Sequence, residues 1–394
     1  MFFLGIDIAK TNHVASLIDD TGTVLIKSIS FKNDIDGYDK LLAALAPFST
    51  SKDDFLIAME ATGHYWLALF SSFVDDGYSV SVYNPFQIKS FRGAFHNRKQ
   101  KTDIIDALII ATYLRTFGTG STSLPNDFLL SLKQLTRYRT SMVSNVSALK
   151  NQTLAILDKI FPEFDSLFSD TFGETAKQIL LKYPTPELIL KANSNSILKV
   201  VHKASKGRLK RDFVTKLVET AKKSFGIKLT TNACSFEVKQ LINQIIFLEE
   251  QISELDSEIA SIYKELDTFL ITIPGIGNTL APVILAEIGD INNFSDPSKL
   301  VAFAGIDPSS NQSGNKLSLN EKTSKRGSPY LRHALFTAAF VAMNNDPHLR
   351  AFYDRKKAEG KHHYVAMAGV QRKLIGIIWS VLKEHRPYSP YKTI

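Results

Sequence analysis

The N-terminal residues contain the feature that most limits how this chain can fold, an apolar run with one carboxylate inside it. Residues 2–10 read FFLGIDIAK, the composition of a buried β-strand, and Asp7 lies within the run. Because desolvating a carboxylate is costly unless a partner compensates its charge, Asp7 must face a cation or hydrogen-bond donors. A second apolar run, residues 55–59, ends on Glu60. The fold must therefore compensate acidic groups on two separate strands.

Strand-like and helix-like patterns alternate through residues 1–118. The predicted elements after the first strand are strands His13–Ile18 and Thr23–Phe31, helix Asp36–Leu45, strand Phe55–Glu60, helix Tyr65–Val74, strand Tyr78–Tyr83 and helix Asp103–Arg115. The order βββαβαβα is that of an α/β RNase H-like (RuvC-like) domain. In that architecture the first strand, the fourth strand and a later helix bring acidic residues together at one edge of the sheet.

The acidic residues of this first segment are candidates for a metal site. Asp103 and Asp106 are three residues apart in a predicted helix, so their carboxylates share one face. Together with Asp7 and Glu60 they would repel one another unless a cation lies between them, and oxygen ligands suit Mg²⁺ or Mn²⁺. Such sites activate an oxygen nucleophile during phosphoryl transfer. Each acid alone could instead cap a turn or lie solvated on a helix.

The middle of the chain, residues 125–266, is predicted to be helical with a coiled-coil pattern. It follows a Gly/Ser/Thr-rich linker, residues 118–125. Apolar residues alternate in steps of four and three from Met142 to Ile160 and again from Leu241 to Leu266, as they do along a coiled-coil seam. Two long helices with such seams either form a hairpin that spaces two domains or join subunits of a homo-oligomer, a dimer or a tetramer.

A mainly helical C-terminal domain is predicted for residues 267–350, followed by a basic helical tail, residues 351–394. The domain opens with Pro274-Gly275-Ile276-Gly277, which resembles the turn of a helix-hairpin-helix. Gly275 and Gly277 would let the backbone approach a phosphate, although a tight turn without a ligand has the same sequence.

A polar loop in the C-terminal domain contains a candidate nucleophile, Ser313. A serine hydroxyl attacks phosphorus only when a base or a metal helps to remove its proton. Ser309 and Ser310 are competing candidates, and an ordinary surface loop is the alternative.

The charge of the chain favours a polyanionic partner. Lys and Arg number 47 against 39 Asp and Glu, which gives a net charge of +8. The basic residues occur in clusters, which are Lys89 with Arg92, Arg98, Lys99 and Lys101, and the segments Lys203–Arg211, Lys322–Arg332 (with Lys325 and Arg326) and Arg355–Lys361. Each cluster is either a nucleic-acid-binding surface or a solvated one.

Cysteine usage and hydropathy indicate a cytoplasmic protein without a membrane span. Cys234 is the only cysteine of the sequence, so no intrachain disulfide can form. The longest apolar run near the end, Leu374–Leu382, is shorter than the ~20 residues that a span requires. The sequence has no Gly-x-x-x-x-Gly-Lys-Ser/Thr phosphate loop, which argues against an NTP-driven motor.

Taken in order, the motifs resemble the insertion-sequence one-ten family of transposases over nearly the whole chain. Residues 5–10 (GIDIAK), 60–63 (EATG) and 101–107 (KTDIIDA) are similar to its DEDD transposase domain. Residues 274–277 (PGIG), 304–308 (AGIDP), 312–314 (QSG) and 324–327 (SKRG) are similar to its C-terminal transposase domain. Each motif is unspecific alone, whereas the combination in this order is specific.

The resemblance implies both an activity and a set of site residues. It implies a prokaryotic, nucleoid-associated recombinase that joins donor and target DNA under the guidance of a structured (bridge) RNA from its own element. On the family pattern Asp7, Glu60, Asp103 and Asp106 bind the metal, and Ser313 attacks the DNA phosphate and holds it covalently. Two alternatives remain open, a metal-dependent nuclease that cuts branched (Holliday-junction-type) DNA with water, and a non-catalytic nucleic-acid-binding protein on the same fold.

Overall fold

The structure is a computed structural model that describes residues 1–95, 103–118, 127–307, 312–313, 316–317 and 323–390. The chain divides into two compact units, residues 1–124 and 125–394, and each is described by itself. The finer division predicted from the sequence, into 1–118, 125–266, 267–350 and 351–394, stays a prediction.

Within residues 1–95, five strands form one mixed sheet. They are β1 (Phe2–Asp7), β2 (Asn12–Asp19), β3 (Val24–Lys32), β4 (Phe55–Glu60) and β5 (Ser79–Tyr83). The strand order is β3-β2-β1-β4-β5, with β1 antiparallel to β2 and parallel to β4. The α/β prediction for this unit is confirmed, while the narrower RNase H-like assignment stays a prediction.

Helices cover both faces of the sheet. They are α1 (Ile35–Leu45), α2 (Trp66–Asp75), α3 (Pro85–Phe95) and α4 (Asp103–Phe117). Successive residues of β1 enter opposite cores, since Leu4 packs with α1 and α2 whereas Phe3 packs with α3 and α4. The central strands are covered on both sides, and they therefore consist largely of apolar residues. Because such strands are packed on both faces, a polar group at a strand end is held in a fixed position.

Helix α3 is an element that the strand-and-helix pattern did not predict. Asn84 and Pro85 end β5, as expected, but they also begin this helix: Asn84 Oδ1 accepts a hydrogen bond from the backbone N–H of Phe86 at 2.9 Å. Proline is well suited to a first helical position, because its ring fixes a helical φ and its missing N–H would have had no helical partner. The observed order is therefore βββαβαβαα in the described part of this unit.

Two long antiparallel helices run side by side in the second unit. They are α5 (Asp127–Ile160) and α10 (Thr231–Lys264). Lys150 on α5 pairs with Glu249 on α10 at 3.0 Å, and Arg139 pairs with Asp256, so position numbers rise on one helix as they fall on the other. The pairing within one chain corresponds to the hairpin alternative, whereas coiled-coil packing and a role in joining subunits stay predictions.

Short helices pack beside one end of this hairpin. They are α6 (Glu174–Lys182), α7 (Pro186–Lys191), α8 (Ser194–Ala204) and α9 (Arg211–Lys222). Their apolar residues, such as Ile179 and Leu217, form one core with Ile160 of α5 and Ile245 of α10.

The remaining helices form a C-terminal bundle with its own core. They are α11 (Leu280–Ile288), α12 (Pro297–Ala304), α13 (Pro329–Asn345), α14 (Pro347–Ala358) and α15 (His363–Glu384), together with two short strands, β6 (Gln312–Ser313) and β7 (Lys316–Leu317). Asp296, Ser328 and Asp346 cap α12, α13 and α14, and each cap precedes a proline in the first turn.

Helix α15 is 22 residues long and contains the apolar run Leu374–Leu382. Among the described residues it is long and apolar enough to cross a membrane by length and composition, yet 50% of its most apolar window is buried inside the protein. Leu374, Ile375 and Ile378 are fully buried in the bundle core, which is the packing of a core helix.

Candidate active site

The register of β1 and β4 sets Asp7 beside Glu60. The last pair of the parallel register is Ile6 with Met59, so Asp7 and Glu60 follow at the same end of two neighbouring strands. Both residues are half-buried. Phe3 and Ala58, at the same parity as these acids, pack toward α3 and α4. Because side chains alternate along a strand, the two carboxylates belong to the sheet face that these helices cover.

Gly5 determines how closely α4 lies on this face. A Cβ atom at Gly5 would fall 2.2 Å from the carbonyl oxygen of Ala107 and 2.2 Å from the nitrogen of Ala111. At the other end of the helix, Arg115 donates to the carbonyl of Asp20 at 3.2 Å, beside the turn between β2 and β3. The first turn of α4 is therefore nearest the ends of β1 and β4.

That first turn carries Asp103 and Asp106, so the topology brings all four predicted acids to one end of the sheet. Asp103 is exposed, whereas Asp106 is buried and forms an ion pair with Arg92 on α3. The Arg92 side chain is itself only 26% exposed. In the sequence, Arg92 belongs to a basic cluster that favours nucleic acid; in the structure its guanidinium is turned to the acidic site.

The four acids share a location but do not form a closed metal cage. Among the described residues, no group of three or more His, Cys, Asp and Glu side chains lies close enough to hold a metal ion. The donor set nevertheless has the chemistry of a Mg²⁺ or Mn²⁺ site, since it consists of carboxylates at fixed strand ends and on a facing helix. The predicted metal site therefore stays a prediction.

Ser313 lies in β6, where its backbone pairs with Lys316 of β7. These strands belong to the serine segment, residues 308–322. The alternatives Ser309 and Ser310 lie outside the described residues.

The two ends of the serine segment are held together. The backbone N–H of Ser324 donates to the carbonyl of Asp307 at 3.0 Å, and the Ser324 hydroxyl also donates to the Asp307 carboxylate. Glycines allow the flanking chains to touch: a Cβ at Gly305 would fall 2.2 Å from the Arg326 carbonyl oxygen, and one at Gly327 would fall 1.9 Å from that of Phe303. Two motifs that are distant in sequence, AGIDP and SKRG, thus form one rigid base.

The base presents basic side chains. Lys325 and Arg326 are exposed, and Lys325 has a φ of 52°, in the left-handed region that non-glycine residues seldom adopt. Lys99 and Lys101, the other predicted nucleic-acid contacts on lysine, lie outside the described residues.

The two glycines of the PGIG turn differ in their surroundings. Gly275 has a φ of +87°, and a Cβ there would fall 2.4 Å from the carbonyl oxygen of Ala338 on α13. Close packing inside the bundle therefore requires this glycine. Gly277 is exposed, and a Cβ there would meet none of the described atoms within 4 Å. Contact with a phosphate stays a prediction for both, with more room at Gly277.

Sequence reasoning missed a buried ion pair that links α5 to the C-terminal bundle. Arg137 donates twice to Glu287 on α11, at 2.6 Å and 3.0 Å, and Glu287 is 2% exposed. Burial raises the pKa of Glu287, but hydrogen bonds from Arg137 and Ser328 outweigh it and hold the pKa below its usual value. Since Ser328 also caps α13 directly after the SKRG motif, the pair ties the long helix to the base of the serine segment.

Two family models match the chain at the segments that carry these features. The transposase model DEDD_Tnp_IS110 matches residues 4–162, and the model described as "Transposase IS116/IS110/IS902 family" matches residues 267–354. The first covers the acidic end of the sheet, and the second covers the PGIG turn, the serine segment and its base.

Curated relatives match either nearly the full chain or a part of it. The "Insertion element IS110 uncharacterized 43.6 kDa protein" of Streptomyces coelicolor is 23% identical over 97% of this chain and 94% of its own length. The "Pilin gene-inverting protein" of Moraxella bovis is 25% identical over 98% of this chain and 97% of its own length. The "Transposase for insertion sequence element IS1111A" of Coxiella burnetii is 28% identical over a shorter stretch, 38% of this chain and 42% of its own length.

Proposed function

This chain belongs to the IS110 (insertion-sequence one-ten) family of transposases, and on that premise we propose that it is an RNA-guided, site-specific DNA recombinase that moves an insertion sequence. The observation that carries the proposal is the position of four carboxylates at one end of the sheet, two at the ends of paired strands and two on the first turn of α4. Phosphoryl transfer is the chemistry that such a set of acids serves. The pilin gene-inverting relative, named for a DNA rearrangement, agrees with recombination as the reaction class.

Asp7, Glu60, Asp103 and Asp106 would hold a divalent metal, Mg²⁺ or Mn²⁺. When bound, such a metal stabilises negative charge on phosphate oxygens and favours deprotonation of an oxygen nucleophile. Asp7 and Glu60 contribute the fixed part of the site, because their strands are buried in the sheet. Arg92 orients the carboxylate of Asp106 through their ion pair.

Ser313 is the proposed nucleophile. Its Oγ forms a bond to phosphorus as the bond from phosphorus to one sugar oxygen breaks. The Oγ proton passes to solvent, and the released sugar oxygen takes up a proton to become a hydroxyl. The cleaved phosphodiester bond is replaced by a phosphoserine ester bond of similar energy, so the strand can be rejoined to a new partner. The closed base at Asp307 and Ser324 supports this role, because it fixes where the serine segment begins and ends.

Donor DNA, target DNA and a structured guide RNA are the proposed partners, and a homo-oligomer is the proposed working form. The net charge of +8 and the exposed Lys325 and Arg326 support binding to polyanions. A cytoplasmic, nucleoid-associated location follows from the proposed reaction with chromosomal DNA.

A covalent adduct between protein and DNA tests the proposal. The full chain, co-expressed with the DNA that flanks its reading frame to supply the RNA, is incubated with labelled donor and target DNA and Mg²⁺. After denaturation, we expect a DNA-linked protein band, and peptide mapping should locate the DNA on Ser313. Ser313→Ala should abolish the band and retain nucleic-acid binding. Asp7→Asn should reduce cleavage at least a hundredfold, because it keeps the shape of the side chain and removes its charge.

The matched control for Asp7→Asn is Asp39→Asn, because Asp39 is an exposed aspartate on α1. The Asp39→Asn variant should cleave DNA as the wild type does. An adduct that survives Ser313→Ala and disappears with Ser309→Ala or Ser310→Ala would move the nucleophile within the serine segment. Cleavage without any adduct would replace the proposal with the water-using nuclease. Binding without cleavage by the wild type would favour the non-catalytic alternative.

A further inference from the structure

Helices α14 and α15 line a cavity, open to solvent, that neither the acidic site nor the serine segment explains. Its volume is about 800 Å³. It lies between α14 and α15, and Pro297 at the start of α12 and Tyr388 after α15 complete its walls. Its volume is within the range of 300–1,000 Å³ that is typical of small-molecule and cofactor sites. A single nucleotide is similar in size to the ligands of such sites.

Two aromatic side chains in the wall are held in place. Phe352 on α14 lies against the backbone of α15, because a Cβ at Gly369 would fall 2.9 Å from its Cε1 atom. The indole Nε1 of Trp379 donates to the carbonyl of Phe294 at 3.1 Å. Flat rings that are already fixed lose little side-chain entropy when a planar ligand stacks on them.

Cations lie over the face of the Phe352 ring, and Lys356 is the most distant of them at 5.9 Å. The Nζ atom of Lys373 is 4.8 Å from the centroid of the Phe352 ring, and the guanidinium carbon of Arg355 is 5.3 Å from it. Both residues line the cavity and are exposed. In the part of the chain that the structure describes, neither forms an ion pair with a carboxylate.

The acids nearby are engaged elsewhere. Asp354 pairs with Arg350 at 2.9 Å, and Glu359 pairs with Lys356 at 2.7 Å. Asp346, which lines the cavity, accepts hydrogen bonds from the two backbone N–H groups of the α14 cap and from the hydroxyl of Tyr388. The cavity therefore offers fixed aromatic surface beside two cations that form no ion pair among the described residues, and the charge of Arg355 also acts on the carboxylate of Glu359.

We propose that this cavity binds one unpaired nucleotide of a single-stranded nucleic acid segment. The base stacks on the indole of Trp379, and its phosphate lies against Arg355 and Lys373, which lie over the ring of Phe352. Base stacking on aromatic residues beside backbone-binding cations is how single strands are held without reading their sequence. A paired base is excluded, because it would first have to leave its stack. The proposal is independent of the recombination chemistry, since it concerns a different part of the bundle.

Photocrosslinking to the full chain tests the cavity directly. The probes are a single-stranded RNA that contains 4-thiouridine and a single-stranded DNA that contains 5-iododeoxyuridine, each with a fully paired duplex of the same sequence as control. After trypsin digestion, we expect the crosslink in the peptides 351–355 (AFYDR) or 374–383 (LIGIIWSVLK). Crosslinking to RNA alone, to DNA alone or to both supports the pocket and shows which sugar it accepts.

Two variants change the cavity by different means. Gly376 lines the wall on α15, and a Cβ there would meet none of the described atoms within 4 Å. Gly376→Leu should therefore fill the cavity and leave the helix intact. Lys373→Gln removes one of the cations and also the trypsin site before Leu374, so the peptide measured for this variant is 373–383. Each should reduce the crosslink to these peptides about tenfold, the scale of one lost stacking or charge contact.

Arg372→Gln is the matched control, because it removes one charge from the neighbouring exposed residue of α15, outside the cavity. It should change the crosslink less than twofold. The proposal is overturned if single strands do not crosslink to these peptides, if the duplex crosslinks equally well, or if Arg372→Gln and Lys373→Gln reduce the crosslink to the same extent. An unchanged crosslink in a folded Gly376→Leu protein, checked by circular dichroism, would also overturn it.

Discussion

At the scale of the residue, the ion pair between Arg137 and Glu287 shows how burial changes the contribution of an ion pair to stability. Glu287 is 2% exposed, so removal of its partner leaves a carboxylate without compensation in the bundle core. We expect Arg137→Met to destabilise the protein by on the order of 2 kcal/mol, less than a fully buried pair costs because the Arg137 side chain is 42% exposed. The melting temperature of the second unit measures the effect.

The matched control is Arg139→Met, two residues along the same helix. The Asp256 side chain that Arg139 pairs with is 43% exposed, against 1% for the Glu287 side chain, and ion pairs with an exposed carboxylate contribute about 0–1 kcal/mol. The folded-state pKa of Glu287 is below its usual 4.5, so the pair contributes stability above that pH and loses it as the pH falls through the lowered value. The difference between wild type and Glu287→Gln should therefore narrow below about pH 4.5. Equal effects of Arg137→Met and Arg139→Met would contradict this account.

At the scale of the element, the contact between β1 and α4 determines where the acidic residues lie. A Cβ at Gly5 would overlap the backbone of α4 at two atoms. Gly5→Ala should therefore push the helix away from the sheet, at a cost of about 1–3 kcal/mol, and separate Asp103 and Asp106 from Asp7. We expect DNA cleavage to fall more than thermal stability does.

Gly93→Ala on α3 is the control for that substitution. A Cβ at Gly93 would meet none of the described atoms within 4 Å, and alanine favours a helix over glycine by about 1 kcal/mol. This variant should be as stable as the wild type or more so, with unchanged cleavage. A Gly5→Ala protein that melts and cleaves normally would show that the close approach is not required.

The elements also show what sequence patterns can and cannot predict. The strands were predictable because apolar residues run between turn signals, as at Asp19–Gly22 before β3. Helix α3 does not follow from the pattern, because Asn84-Pro85 both ends a strand and begins a helix, and the sequence alone does not separate the two roles. The contact of Gly5 with α4 joins residues about a hundred positions apart, which no local pattern encodes.

The site was predictable to the same degree. The positions of Asp7 and Glu60 follow from the strand register, which apolar patterning fixes. The partner of Asp106 did not follow, because Arg92 looks like any other member of a basic cluster until the helices are placed.

At the scale of the whole molecule, the excess of positive charge predicts how binding should respond to salt. Each phosphate contact releases counterions, so the affinity for duplex DNA falls as salt is added. In a plot of log affinity against log salt concentration, each contact adds about 0.9 to the magnitude of the slope. Lys325 and Arg326 belong to the SKRG part of the base of the serine segment, and both are exposed. If each contacts one phosphate, the double variant Lys325→Gln/Arg326→Gln should reduce the magnitude of the slope by about 2. Fluorescence anisotropy between low and moderate salt measures it.

The control for this variant removes the same charge from two other surface positions of the second unit. Lys159 and Lys264 are exposed at the ends of α5 and α10, outside the basic clusters. Lys159→Gln/Lys264→Gln should leave the slope within about 0.5 of the wild-type value, because charges that do not touch phosphate release few counterions. Equal changes in both double variants would mean that net charge, rather than a contact at Lys325 and Arg326, drives binding. A wild-type affinity that does not change with salt would contradict the proposed binding to nucleic-acid backbone itself.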